Sequence, residues 1–307
     1  MRLTGTNSFL TRAIIGFTAV QLVVSGCVQG YWLSTFSENV LRVYFDYVGV
    51  LVFLAFASLQ LILTIWVFRE FRLEPPLGMA WGYLLGASSS LFIGTILTHL
   101  LAVKTALNPL MYMSLSSGDR FRTVLANVGT VIGGPVYMVL LGAGLYLALR
   151  VYKQFGMLAR LKAVDLVLIG ASMVYAMVVL MGVVQAIRRD PAGVTVEHAL
   201  TWPGDYLMCV LLIEAIFLRR SAAEMGWGYI SKVWGAFVTG IFLMSFCSLM
   251  NWLTAYGILT WIQTSFAWYL WFPVSAAFAL APAYQWEAMR TAQRRLEKQL
   301  NELRLPA

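Results

Sequence analysis

Long apolar runs separated by short polar breaks set the pattern of this chain. Eight runs approach the roughly 20 residues that a helix needs to cross the hydrocarbon of a bilayer. They extend over about Ala13 to Ser34, Val43 to Phe68, Gly78 to Val103, Val124 to Leu149, Leu166 to Ile187, Trp202 to Leu218, Trp234 to Leu253 and Thr260 to Tyr284. The sixth is short, the second carries Asp46 near its start, and the eighth contains Pro273 and Pro282, which should bend it. None alternates polar and apolar residues as a lipid-facing strand must. The pattern predicts an all-α polytopic membrane protein, a bundle of eight transmembrane helices with short loops over residues 1–286.

The pattern changes after Trp286. From Glu287 to Arg304 the chain is charged, and Met289, Ala292, Leu296, Leu300 and Leu303 recur at helical spacing. Residues 287–307 therefore form a separate cytoplasmic amphipathic helix in this reading. An isolated helix of this length is marginal in water. Its apolar stripe calls for a second copy of the chain, another protein or the membrane surface, and a basic tail anchoring the last span is the plainer alternative.

Composition supports the membrane reading. Hydrophobic residues make up 60% of the 307, charged residues 12%, and mean hydropathy is +0.75. A soluble domain of this size cannot hide that much apolar surface. A soluble enzyme, a disordered chain and a disulfide-stapled secreted domain are all excluded.

Charge gives orientation. With the N-terminus inside, sixteen of the 22 Lys and Arg fall on the inner side, including Arg69, Arg150, Arg219, Lys232 and Arg290, and six on the outer side. Both termini are then cytoplasmic, as in a multi-pass protein of a plasma membrane such as the bacterial inner membrane. With seven acids inside, the chain's net +8 becomes an inner-face charge of about +9 facing anionic lipid. Nucleic acid is not an expected partner, because no compact basic domain carries the charge. Val24-Ser25-Gly26-Cys27 resembles a lipoprotein cleavage box, which would leave seven spans and a lipid-modified Cys27. The apolar run continues past it through Val28, Tyr31 and Leu33, which favours an uncut first span.

Candidate chemistry is sparse. Gly78, Gly82, Gly86, Ser90, Gly94 and Thr98 recur every four residues, a stripe that lets another helix approach closely, either within the chain or in a neighbouring subunit. Gly133-Gly134-Pro135 reads as a kink. Glu214 is a charge inside the sixth span, with Arg219, Arg220 or Lys232 as expected partner. Asp46, His99 and His198 all fall toward the outer face, with His198 in a loop beside Glu197. With Trp268 and Trp271 of the aromatic run Phe266 to Phe272, they outline a ligand pocket, a pH sensor or a metal site.

No zinc-type spacing, P-loop or nucleophile elbow is present, and no lysine lies in a span core. Cys27, Cys209 and Cys247 stand alone and read as packing residues. No metal, haem or other cofactor and no enzymatic activity is expected.

Many spans, small loops and a charged helix leaving the last span form a layout that resembles the membrane-embedded input region of bacterial sensor proteins. The likeness is architectural and no motif carries it. It implies a sensory or regulatory module that passes an outer or intramembrane signal to a cytoplasmic partner. A structural subunit of a larger assembly, joined through the glycine stripe, is the first alternative. A transporter or channel with a polar path through Gln60, Ser88 to Ser90, Thr95 and Gln185 is the second.

Overall fold

A computed structural model describes residues 9–35, 44–101, 120–189, 196–226, 228–260 and 269–304. Of these residues 91% are helical and none lie in strands. The first helix, α1, is Phe9–Thr35. A π-helical stretch, Tyr44–Gly49, leads into α2, Val50–Phe71. Helix α3 is Leu77–Thr95, extended by the π-helical Ile96–Leu101. Helices α4, Arg120–Val131, and α5, Tyr137–Gln154, are joined through π-helical Ile132–Val136, where Pro135 sits. Then follow α6, Ala163–Arg189, α7, Val196–Glu224, α8, Gly228–Ala255, and α9, Trp271–Arg304. Gly156 and Gly257, at φ 67° and 72°, end α5 and α8 in the left-handed conformation that glycine adopts without strain.

Among the described residues six helices are long and apolar enough to cross a membrane, and α7 and α9 are not among them. Both are diluted by polar residues: α7 by Glu197, His198, Asp205 and Glu214, α9 by its charged second half. Helix α7 is also longer than its apolar run, with 29 residues, so His198 lies in its first turn and not in a loop. Nor is there a break at Trp286: α9 runs unbroken through the boundary drawn between the bundle and the charged segment.

Helices α2, α3, α5, α7, α8 and α9 form a closed ring in which each packs against the next and α9 returns to α2. Helix α1 packs outside the ring on α9, and α6 packs outside it on α7 and α8. The core between the ring helices is apolar: Leu141, Leu145, Leu211, Leu212, Ile216 and Ile241 are wholly buried.

The two outer helices are inverted relative to a soluble protein. Helix α6 exposes Val167, Val174 and Met177 and buries Asp165, Ser172, Tyr175, Val179 and Gly182, one helical stripe. Apolar faces meet lipid at no cost, so polar groups supply the adhesion. At the middle of α6 the Asp205 carboxylate accepts from Tyr175 Oη at 2.8 Å, and also from Ser248 Oγ at 2.7 Å and Trp252 Nε1 at 3.1 Å. At the start of α6 Arg220 donates two hydrogen bonds of 2.8 Å to Asp165, which also accepts from the Lys162 amide. In α1 the buried set includes Thr11, Thr18, Ser25 and Gln29, and Thr11 donates to the Glu287 carboxylate of α9. Tyr44 donates to Gln21 at 3.2 Å. The helix continues through Ser25, Gly26 and Cys27 without interruption.

The Arg220–Asp165 pair leads to a test. Arg220→Ala leaves a buried carboxylate without its cation, which costs about 3 kcal/mol. Adding Asp165→Asn should recover much of that loss. Thermal unfolding of the three proteins in the same detergent measures it, and equal melting of the single and double variants would contradict the pairing.

Candidate functional site

A chamber of about 360 Å³ lies inside the helix ring, in the half near His99. All six ring rods line it: Phe53, Ala57 and Gln60 from α2; Leu91 to His99 from α3 and its π-helical extension; Gly129 to Met138 along α4, the π-helical turn and α5; Met208 from α7; Met244 from α8; Trp271, Val274, Ser275 and Phe278 from α9. Two of the three π-helical stretches border it. Such wide turns shift the register of a helix and occur often at functional sites.

One wall depends on glycine. A Cβ on Gly94 would sit 2.5 Å from the Gly133 Cα, and one on Gly129 would sit 2.3 Å from Thr98 Oγ1. Helices α3 and α4 therefore cross with their backbones in contact, which no larger side chain allows. The rest of the stripe also faces the chain itself. Gly78 abuts the Phe71 carbonyl, Gly82 the Phe68 ring at 3.4 Å and Gly86 the Leu140 side chain at 3.5 Å. Ser90 is buried and bonds back to the Ala87 carbonyl. The stripe thus serves internal packing at every one of these positions.

The floor is closed by aromatic rings and leucines. Phe278 of α9 stands edge-on to Tyr137, centroids 5.7 Å apart, and 6.2 Å from Phe237. It also lies on Gly240, where a Cβ would meet its ring at 3.1 Å. Below it is a void of about 10 Å³, room for no more than about one water, lined by Gln60, Thr64, Ser88, Leu141, Phe237, Phe278 and Pro282 among others. Gln60 Nε2 donates to Ser88 Oγ at 3.2 Å, and the Thr64 and Ser88 hydroxyls are also 3.2 Å apart. Phe278 and Gln60 therefore border both spaces.

Of the residues expected to form an outer pocket, the structure brings His99 and Trp271 onto the wall of this chamber. Asp46 lies in the π-helical stretch before α2 and His198 in the first turn of α7, and in both cases only the backbone is described. Trp268 lies outside the described residues. No group of three or more His, Cys, Asp or Glu able to hold a metal occurs among the described residues.

Glu214 departs from expectation. Its Oε2 is buried with no hydrogen-bond partner among the described residues. The expected cations are engaged elsewhere or face away: Arg220 holds Asp165, and Lys232 lies over the Tyr229 and Tyr284 rings. At about 100° per residue, Arg219 and Arg220 are roughly 140° and 240° round the helix from Glu214, so the spacing cannot pair them. Gln185, expected on a polar path, belongs to α6 outside the ring and does not line the chamber. Leu296 and Leu300 are exposed, as every residue from Ala292 to Leu300 is, while for Leu303 only the backbone is described.

Sequence reading missed the chamber itself. Its lining is mostly Gly, Thr, Met and Phe, residues that pack bundles everywhere. The wide Gly-Pro turn and the Gln60 in an otherwise apolar run were the only marks it left. Asp205 was also missed as a structural anchor, because nothing local indicates that donors from α6 and α8 converge on it.

Fold and site define a membrane-embedded helical bundle with an internal chamber. Compared with protein families, with characterised proteins and with solved structures, the chain matches none.

The glycine crossing leads to a second test. Gly94→Ala and Gly129→Ala must push α3 and α4 apart and should each cost about 1–3 kcal/mol. Gly134→Ala, with nothing within 4 Å of the new Cβ, and Gly86→Ala, in ordinary contact, should melt like the wild type. If all four melt alike, the close crossing is wrong.

Proposed function

We propose that this protein is a membrane-embedded sensory or regulatory module. Its chamber binds a small molecule, and α9 carries occupancy to a partner through the charged segment beyond the bundle. One observation carries this reading. Helix α9 lines the chamber with Trp271, Val274, Ser275 and Phe278, and the same unbroken helix extends to Arg304. At about 1.5 Å per residue its 34 residues span roughly 50 Å. A shift of Phe278 is thus a shift of the exposed helix end.

In this proposal all eight rods cross the bilayer. Helix α7 counts because its neighbours in the ring cover Asp205 and Glu214, and α9 counts through its apolar first half, with the charged second half beyond the bilayer. The Lys and Arg asymmetry favours cytoplasmic termini and a plasma membrane, the bacterial inner membrane being the natural setting. The exposed stripe of Leu296, Leu300 and Leu303 then receives a second copy of the chain or a cytoplasmic protein.

A transport reading has one observation in its favour: the polar Gln60, Thr64 and Ser88 continue below the Phe278 floor. It requires Phe278 to move aside, and solute flux into proteoliposomes that rises in Phe278→Ala would support it. The subunit reading loses its main feature, since the glycine stripe is filled by the chain's own neighbours.

Two outcomes are expected. A reporter fused after Ala307 should be active only in its cytoplasmic form. In intact membranes Leu296→Cys should form a disulfide with a second copy, or a photo-crosslinking residue at Leu300 should trap another protein. Leu303→Asp in the same stripe should weaken either product and leave the melting of the bundle unchanged. If neither position yields a product, the segment is not an output contact and the reading fails.

A further inference from the structure

The chamber's lining restricts what it can hold. This inference rests on the reading of the chamber as a binding site and names the occupant by class. No Asp, Glu, Lys or Arg is among the described residues that line it, and His99, toward one end, is the sole ionisable side chain apart from Tyr137. A cation held within the bilayer's depth would lose its hydration and find no counter-charge, and an anion would find only the His99 imidazole toward one end, too little to replace its hydration. The occupant is therefore uncharged.

Its shape follows from the walls. Phe53, Trp271 and Phe278 offer three aromatic faces, and Met138, Met208 and Met244 offer polarisable sulfur. Rings are attracted to both kinds of surface. The space is compact, about 360 Å³, at the small end of ligand pockets. A long acyl chain would have to coil in it and lose its rotamer freedom, whereas a rigid ring system enters already ordered.

Polarity places one end of the molecule. Gln60 is the amide at floor level, and its Nε2 donates to Ser88 Oγ at 3.2 Å. The amide can make further bonds through its second N–H and its carbonyl oxygen. Beside it, Tyr137 Oη faces this same amide, without a hydrogen bond of normal geometry between them. Two polar groups with unused capacity thus sit where an otherwise apolar chamber ends.

We propose that the chamber binds an uncharged, ring-bearing molecule with a hydroxyl or carbonyl oxygen, its rings among Phe53, Trp271, Phe278 and the methionines and its oxygen on the Gln60 amide.

The test uses the full chain in lipid nanodiscs at pH 6.5, where a phenolic hydroxyl is uncharged, with binding to empty nanodiscs subtracted. The probes are pyrene, 1-hydroxypyrene, 1-pyrenecarboxylate and 1-decanol. Hydroxypyrene should bind about three- to tenfold more tightly than pyrene, the range of one net hydrogen bond. Carboxylate and decanol should bind more weakly than either. Gln60→Met should erase the hydroxyl's advantage while pyrene binds as before. The variant should fold, because Ser88 retains its bonds to Thr64 and to the Leu84 carbonyl. Ser275→Leu, which fills the chamber from α9, should weaken both neutral ring probes at least tenfold.

Carboxylate or decanol bound as tightly as hydroxypyrene overturns the proposed class. A hydroxyl advantage that survives Gln60→Met overturns the proposed anchor, and binding indifferent to Ser275→Leu puts the probes outside the chamber. None of these results alters the crosslinks at Leu296 and Leu300, so the role of α9 as an output stands or falls separately.

Discussion

Hydrocarbon offers no hydrogen bonds, so every polar group of a chain inside it must be met by the chain itself. The arrangement of this protein follows from that constraint. Apolar surface does not hold α6 or α1 to the ring, because lipid would cover it equally well. Asp205, with donors from Tyr175, Ser248 and Trp252, holds α6 at its middle, and the Arg220–Asp165 pair holds it at its start. Thr11 and Glu287 hold α1 to α9. The buried carboxylates have a structural meaning in this setting: they replace the hydrophobic effect where it is absent.

The ring helices are held differently, by close packing around large side chains and by backbone contact at Gly94, Gly129 and Gly133. That contact has a geometric consequence. Where α3 and α4 meet without side chains between them, the π-helical turns on either side place Thr98, His99, Gly133 and Gly134 on the chamber wall. The ring therefore closes tightly below Phe278 and stays open above it. Glycine on one wall and aromatic rings on the floor are the two halves of one chamber.

How much of this was legible varies with how local the signal is. The helical class and the apolar spans follow from runs of twenty residues, because bilayer thickness acts on each run alone. The ends of α7 and α9 were misjudged for the complementary reason. Asp205, Glu214 and the alanine-rich start of α9 are tolerated because neighbouring helices cover them, and hydropathy along one chain carries no record of cover. His99 stands out in the sequence, but its place on a chamber wall depends on five other rods. Glu214 was assigned an Arg partner by nearness in sequence, when helical rotation separates the two. The glycine stripe was legible as a contact face, but whether its partner is internal depends on which helix arrives there.

Helix α9 brings the two levels together. Its first part is small-residue helix, Ala276, Ala277, Ala279, Ala281 and Ala283, packed on α8 and α2. Side chains that small let it lie deep in the ring, and they give it few interlocking knobs to resist a slide along its axis. Phe278 is seated on Gly240 and against Tyr137 and Phe237, and the wholly buried Phe272 stacks on Phe53 at 5.3 Å. On otherwise smooth flanks these two rings resist a slide of the helix. Pro282, one turn on, removes the hydrogen bond that would otherwise tie its own turn to the Phe278 carbonyl. A molecule in the chamber would lie against Phe278, on the same unbroken helix that carries the exposed residues Ala292 to Leu300.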